Sequence, residues 1–165
     1  GGRPCDASGT DGAAKAYRAG RSHQGTWVNG VAHGHGVSTT FRGAASAAGE
    51  AKCETYECEW RDGWALDGEW SIRFFNGDQF VGECVGGRPH GEGMLKSGDG
   101  EVYTGSFENG KRHGHGTSVG RTGEVYQGMW VNGRIATGGS EGTLQMADGT
   151  IHMFQGEIAE EAASD

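Results

Sequence analysis

The chain has 165 residues, of which 34 are glycine and 34% are hydrophobic, a composition that excludes a thick two-layer core and favours a thin or repetitive fold. Its five Trp, six Phe and four Tyr exclude a purely low-complexity chain and indicate that the glycines occupy particular positions. The net charge of −8 argues against nucleic-acid binding, which needs a basic surface, and favours a basic or neutral protein partner.

The first predicted element is an N-terminal arm. Residues 1–22 contain one weak turn signal, Asp11-Gly12, and one aromatic residue, Tyr17. They predict an irregular arm or an atypical capping strand. No stretch of the chain approaches the ~20 apolar residues that a membrane helix requires, so no transmembrane segment is expected.

From residue 23 onward the chain repeats one pattern. Its clearest copy is YTGSFENGKRHGHG at residues 103–116, and the copies from Tyr56 to Tyr126 follow one another every 23 or 24 residues. A fixed period of this kind is the signature of a repeat architecture. About five units and a partial sixth are present, beginning at His23, Tyr56, Phe80, Tyr103, Tyr126 and Phe154.

Each unit has the spacing of a β-hairpin. Tyr103, Gly105 and Phe107 lie two positions apart, so all three point to one face of a strand. Asn-Gly or Asp-Gly follows, the pair that tolerates the positive φ of a two-residue hairpin turn. Such turns are predicted at residues 29–30, 62–63, 109–110 and 132–133, with second turns at 76–77, 99–100 and 148–149.

The glycines inside the strands have a predicted role. Glycine usually weakens a strand, unless another group must approach the backbone closely. An aromatic ring from a neighbouring strand can lie over a bare glycine and cover it. We therefore expect the glycines to seat aromatic rings, and the histidine of each second strand to order the turn or pack beside a ring.

The pattern [YF]-x-G-x-[WF]-x-x-G-x-x-H-G-x-G resembles the MORN (membrane occupation and recognition nexus) repeat over residues 23–158. The resemblance implies an all-β fold, an elongated single-layer antiparallel β-meander of hairpins that is open-edged and twisted. One face would be lined by aromatics and glycines. It also implies a scaffolding or interaction role in cytoskeletal, flagellar or membrane-associated assemblies.

Three repeat units depart from the pattern, one of them the unit of Tyr126, where Ala136-Thr137-Gly138-Gly139 lacks the histidine and introduces a loop. In the unit that begins at Tyr56, Cys58 takes the glycine place and a segment from Trp64 to Trp70 replaces His-Gly-x-Gly, so we expect a contact site here. In the next unit Cys84 stands where Trp or Phe is expected. A disulfide between Cys58 and Cys84 is sterically conceivable, but reduced thiols that fill space are favoured.

Insertions near residues 42–52 and 136–142 interrupt the array. The first, RGAASAAGEAK, is alanine-rich and predicts a short helix or, because of its glycines, a solvated loop. Residues 159–165 predict an acidic C-terminal tail, helical or frayed.

Signals for chemistry other than binding are weak. The pairs His33/His35 and His113/His115 have the i, i+2 spacing of one strand face, which suits Zn or Cu, but a third ligand is missing locally. No metal and no cofactor is therefore expected. Acidic residues are plentiful, yet an open single-layer sheet keeps carboxylates solvated and provides no pocket, so no catalytic residue is expected.

The functional prediction concerns the aromatic side chains. An open sheet presents edges and an aromatic strip, which a partner usually covers. We expect a helix, an extended peptide or neighbouring subunits of a complex to contact these side chains. The predicted partner-binding groove comprises Trp27, Tyr56, Trp60, Trp64, Trp70, Phe80, Tyr103, Phe107, Tyr126 and Trp130.

Two functions agree with this pattern. The first is a non-catalytic scaffold for protein–protein interaction. The alternative is an accessory structural subunit built permanently into a large assembly, axonemal or cytoskeletal, or an organellar membrane complex such as a photosynthetic or respiratory one. An intracellular location is expected, with cytoskeleton, flagellum and organelle (after removal of a targeting peptide) left open. Peripheral membrane association also stays open, although the best basic cluster, Lys111-Arg112, is short.

Overall fold

The computed structural model describes residues 15–17, 21–42, 52–136 and 141–155, which form β-strands joined by turns. The fold is an antiparallel β-meander of hairpins, as the resemblance implies. The chain divides between Gly87 and Arg88 into two structural units, called the first unit and the second unit, each of which contains several of the sequence repeats. The first insertion, apart from its ends, and the predicted acidic tail at 159–165 lie outside the described residues.

The first unit contains seven strands in the part that the structure describes. They are β1 (Lys15–Tyr17), β2 (Arg21–Val28), β3 (Val31–Arg42), β4 (Lys52–Arg61), β5 (Trp64–Ala65), β6 (Gly68–Arg73) and β7 (Gln79–Val85). Each strand from β1 to β4 pairs antiparallel with the next, and β4 continues to β6 and then β7. The short β5 returns on β4. The N-terminal arm thus supplies one strand, β1, to this sheet.

The second unit has the same plan. Its strands are β8 (Arg88–Lys96), β9 (Val102–Glu108), β10 (Lys111–Val119), β11 (Val125–Val131), β12 (Arg134–Ile135), β13 (Glu141–Gln145) and β14 (Ile151–Gln155). The order is β8, β9, β10, β11, β13, β14, with the short β12 returning on β11.

The predicted Asn-Gly and Asp-Gly turns are confirmed. Asn109 and Gly110 both have positive φ, 50° and 83°, as a two-residue hairpin turn of the mirror-image type requires. The same backbone occurs at 29–30, 62–63 and 132–133. In the unit of Phe80 the turn is Gly86-Gly87, with φ of 57° and 77°. The turn glycine also links hairpins, since Gly110 N donates to Pro89 O at 2.8 Å.

The second set of turns closes the other ends of the hairpins. At 74–77, 97–100 and 146–149 the glycine N–H donates to the carbonyl three residues earlier, at 2.9–3.0 Å. A fourth turn of this kind, at 120–123, was not predicted because Thr122-Gly123 lacks the Asn or Asp signal. These short connections keep consecutive strands adjacent, so residues one period apart lie side by side.

Candidate functional site

In the second unit the aromatic side chains form a row on one face of the sheet, called the aromatic face. Tyr103 lies edge-on to both Phe107 and Trp130, with ring centroids 5.1 Å apart in each pair. Tyr126 contacts Trp130 in the same way at 5.5 Å. Each such pair contributes about 0.5–1.5 kcal/mol beyond the area it buries. All four rings are buried, so they form the core of this unit.

Glycines make room for these rings, as the sequence predicts. Tyr103 lies over Gly105 of its own strand and over Gly116 of the next, and the two glycines are paired in register. A Cβ at Gly105 would lie 3.0 Å from Tyr103 Oη, and one at Gly116 would overlap the phenol ring. At Gly128 a Cβ would lie 2.5 Å from Tyr126 Oη. A side chain at Gly116 or Gly128 would displace a ring, whereas one at Gly105 would first meet the Gly116 Cα and the His115 carbonyl, both 2.5 Å from its Cβ.

The buried phenols act as hydrogen-bond donors. Tyr103 Oη donates to the Ser106 carbonyl at 2.9 Å, and Tyr126 Oη donates to the Met129 carbonyl at 3.3 Å. Burial raises the pKa of Tyr103 to about 12 and also raises that of Tyr126. Both phenols stay protonated at physiological pH, so they anchor the rings and do not serve as bases.

One cation covers part of the aromatic face. The Arg112 guanidinium carbon lies 5.0 Å from the ring centroids of both Tyr103 and Trp130. Its Nη1 donates to Glu101 Oε1 at 2.5 Å, and Ser118 Oγ donates to the same oxygen at 2.6 Å. The hydrogen bond from Arg112 is the main cause that lowers the pKa of Glu101. The cation–π contacts and the ion pair with Glu101 therefore hold the Arg112 guanidinium over these two rings.

In the first unit a histidine takes the place of the tyrosine. His23 is 2% exposed and lies edge-on to Trp27 at 5.3 Å and to Trp60 at 4.8 Å. A Cβ at Gly36 would lie 2.7 Å from its ring. Among the described residues neither ring nitrogen finds a hydrogen-bond partner. Burial lowers the pKa of His23, so the ring is packed in its neutral form.

Two tryptophans of the first unit, Trp60 and Trp70, donate hydrogen bonds from their indole nitrogens. Trp60 Nε1 donates to the Gly36 carbonyl at 3.2 Å, which joins β4 to β3. Trp70 Nε1 donates to the Leu66 carbonyl at 2.8 Å, and its ring lies 6.2 Å from that of Tyr56. These bonds orient the two indoles toward the sheet.

The two cysteines that replace repeat residues are free thiols. Cys58 and Cys84 are buried and unbridged, as the preference for space-filling thiols predicted, whereas Cys53 is disulfide-bonded. Burial raises the pKa of Cys58 to about 11 and that of Cys84 to about 12. Neither thiol is therefore a nucleophile at neutral pH.

The ten residues predicted to line a partner-binding groove differ in accessibility. Trp27, Tyr56 and Trp60 are half-buried, and Trp64 is 77% exposed. The other six are buried: Trp70, Phe80, Tyr103, Phe107, Tyr126 and Trp130. Binding of a partner through this set stays a prediction. The sequence reasoning did not foresee the ring role of His23 or the pairing of Arg112 with Glu101.

The histidine pairs meet carboxylates. His35 Nε2 lies 3.6 Å from Glu57 Oε1, and His113 Nε2 lies 3.4 Å from Glu108 Oε2. Within the described ranges no group of three His, Cys, Asp or Glu side chains is placed to share a metal ion. The same residues include no helix long and apolar enough to cross a membrane.

This geometry defines the class of the protein. It is a repeat protein built of antiparallel β-hairpins, in which a ring side chain covers one glycine of its own strand and one of the next strand. The model of the MORN repeat matches residues 23–43, 80–102, 103–125 and 126–135. The chain is a MORN-repeat protein. The matched segments leave out the unit of Cys58, whose sequence departs most, yet β4, β5 and β6 pair there as in the other units. No curated protein matches the chain.

Proposed function

We propose that this chain is a non-catalytic scaffold that holds a protein partner against its hairpin array. MORN repeats are commonly modules of protein or membrane interaction. The observation that carries the proposal is that six of the ten predicted groove aromatics are buried in the core, while eleven large apolar side chains of the described residues stay exposed. Trp64 is the largest of these, at 77% exposed. An exposed tryptophan on a rigid strand is a favourable anchor for a partner.

The surroundings of Trp64 make it part of a small apolar patch at the hairpin tips of the first unit. Trp64 pairs with Arg61 next to the turn at 62–63. A Cβ at Gly63 would lie 3.7 Å from Val31 Cβ, so the tip of this hairpin packs beside that of the preceding one. Val28, at the same preceding tip, is 43% exposed. We place the partner contact on this patch.

The experiment starts from the complex purified under mild conditions from the native source, in which the co-purifying protein is identified by mass spectrometry. The affinity of that protein for the full chain is then measured with Trp64→Ala. We expect a loss of about thirtyfold or more, because truncating an anchor residue costs about 2 kcal/mol or more. Val81→Ala, at another exposed apolar residue of the first unit, is the matched control. Equal affinities for Trp64→Ala and the unchanged chain would refute the proposal.

A second candidate, the permanent structural subunit, is favoured by a repeated feature of the tips. The residue before the turn is an exposed valine in three units, Val28, Val85 and Val131, at 43%, 51% and 45%. Apolar residues at equivalent exposed positions are suited to lasting burial in an assembly. Light scattering of the native preparation separates the two candidates. A large complex of constant composition supports the subunit, and a complex that dissociates on dilution supports the scaffold.

A further inference from the structure

The face of the second unit opposite the aromatic face carries a groove of about 600 Å³. Its floor is a row of glycines on successive strands, Gly105, Gly116, Gly128 and Gly142. Gly105 and Gly116 are paired in register, as are Gly116 and Gly128. A Cβ on any of the four would point at Tyr103 or Tyr126, on the aromatic face. Because side chains alternate along a strand, the neighbours of these glycines point into the groove.

One wall of the groove is a straight ladder of polar side chains. Successive strands pair Thr104 with Thr117, Thr117 with Gln127, and Gln127 with Thr143. Thr143 pairs in turn with Met153, which is 79% exposed. The wall therefore offers hydroxyl and amide groups, donors and acceptors at every strand, and ends in an exposed apolar side chain.

The other wall carries the charge. Glu92 on β8 and Glu141 on β13 line its two ends, and His115 on β10 lies between them. Both glutamates are exposed. Ser106 Oγ donates to Glu92 Oε1 at 2.6 Å, which orients that carboxylate. The described residues that line the groove include no Lys or Arg, so two separated carboxylates set its potential.

We infer that this groove binds an extended protein segment with two basic residues about six positions apart and polar residues between them. β8 and β13 are separated by four inter-strand steps, so Glu92 and Glu141 lie roughly 19 Å apart at about 4.8 Å per step. An extended chain covers that distance in about six residues at ~3.3 Å each. Six is an even number, so both basic side chains leave the same side of the segment and reach the two carboxylates. The polar backbone of the segment then meets the threonine and glutamine wall.

The width of the groove favours an extended chain over a helix. Residues two apart on a strand are about 7 Å apart, which sets the distance between the two walls. A helix with its side chains is about 10–12 Å across and lies above such a groove, not in it. A second copy of the chain would bring its own carboxylates against these, since the net charge is −8. The inference rests on the proposed function, because the ligand of the groove is again a protein segment. The groove and the Trp64 patch are separate sets of residues.

The test uses fluorescein-labelled nine-residue Ser/Thr peptides and the full chain in low-salt buffer, with fluorescence anisotropy as the readout. The first peptide carries two lysines six positions apart; the second carries the same lysines side by side; the third carries glutamates in place of lysines. We expect saturable binding of the first, at least about fivefold weaker binding of the second, and none of the third. Glu92→Gln and Glu141→Gln should each weaken the first peptide about three- to fivefold. Glu83→Gln, which removes an exposed carboxylate of the first unit, is the matched control and should leave it unchanged.

A blocking variant completes the experiment. Thr117→Arg places a cation and a long side chain in the middle of the groove and should weaken the first peptide about tenfold or more, with circular dichroism confirming the fold. Equal binding of the first two peptides, insensitivity to Glu92→Gln and Glu141→Gln, or a dimer that Thr117→Arg dissociates would overturn the inference. Trp64→Ala should leave peptide binding unchanged. Loss of the native partner with Trp64→Ala, together with absence of peptide binding, would refute the groove and leave the proposed function standing.

Discussion

The substitution His23→Tyr tests the ring-over-glycine packing at its weakest point. His23 takes the position that Tyr103 takes in the second unit, but it lacks the hydrogen bond that Tyr103 donates to Ser106 O. A tyrosine at position 23 would reach the equivalent carbonyl, that of Thr26. A buried polar group without a partner costs about 1–3 kcal/mol, and a hydrogen bond contributes about 1 kcal/mol. We therefore expect the free energy of unfolding at pH 7.5 to rise by about 1–3 kcal/mol.

The pH dependence of the two proteins should also differ. Burial lowers the pKa of His23 below its ordinary value of 6.5, so the native state binds a proton less readily than the unfolded state. The stability that neutral His23 contributes is complete above pH 6.5. It is lost as the pH falls from there toward the lowered native pKa. His23→Tyr has no such loss, so its advantage over the unchanged chain should widen between pH 7.5 and about pH 5.

Urea unfolding followed by tryptophan fluorescence measures this effect directly, because Trp27 and Trp60 contact the ring. The control is His115→Tyr, at an exposed histidine of β10 outside the cluster around His23, which should not reproduce the widening advantage of His23→Tyr. The reasoning is wrong if His23→Tyr lowers the free energy of unfolding at pH 7.5. It is equally wrong if both proteins lose the same stability between pH 7.5 and pH 5.

Three further substitutions address the other contacts, each measured by urea unfolding. Gly116→Ala should cost about 1–3 kcal/mol through overlap with Tyr103, and less in a Tyr103→Leu background. Arg112→Met should cost about 2–3 kcal/mol, because it removes the cation–π contacts and leaves Glu101 without its cation. Since the pKa of Glu101 is lowered from 4.5, that loss should shrink as the pH falls below 4.5. Asn109→Val should cost about 1–2 kcal/mol at its positive φ, whereas Asn109→Gly should be tolerated.

Each of these has a contradicting outcome. Equal costs of Gly116→Ala with and without the ring of Tyr103 would show that the ring is not what excludes a side chain there. A cost of Arg112→Met that persists unchanged below pH 4.5 would show that Glu101 is not its electrostatic partner. Asn109→Gly as damaging as Asn109→Val would show that the side chain of Asn109, and not its backbone angle, sets the turn.

The hairpins were predictable because their signals are local. A ring two positions from a glycine, followed by Asn-Gly, specifies both a strand face and a turn that only a few residues tolerate. The turn signal is present even where the sequence departs from the repeat, since Asp62-Gly63 forms the hairpin turn in the repeat of Cys58. It was absent at Thr122-Gly123, where the turn forms on glycine alone.

The accessibility of the aromatic residues was not predictable in the same way. Whether a ring is covered depends also on which groups lie beside it on neighbouring strands, and those are set by register. Trp130 is buried because Tyr126 of its own repeat is joined by Tyr103 and Arg112 of the preceding repeat, and no pattern within its own repeat records those two. Trp64 is exposed because it pairs with Arg61 and so lies on the face opposite Trp60, away from the packed rings. The candidate contact residues therefore separate into buried, half-buried and exposed rings only when the strands are assembled.

The groove on the opposite face has its origin in the same glycines. Their missing side chains make room for Tyr103 and Tyr126 on the aromatic face, so the large rings of these strands pack on that side of the sheet. Thr104 and Thr117 lie on the opposite face and do not take part in this ring packing. Their side chains can therefore be selected for binding. Since the rings pack on one face, the side chains of the other face are where a partner is specified. The groove on that face, with Glu92 and Glu141 on one wall and the polar ladder on the other, is therefore a stronger candidate for specificity than the repeated aromatics.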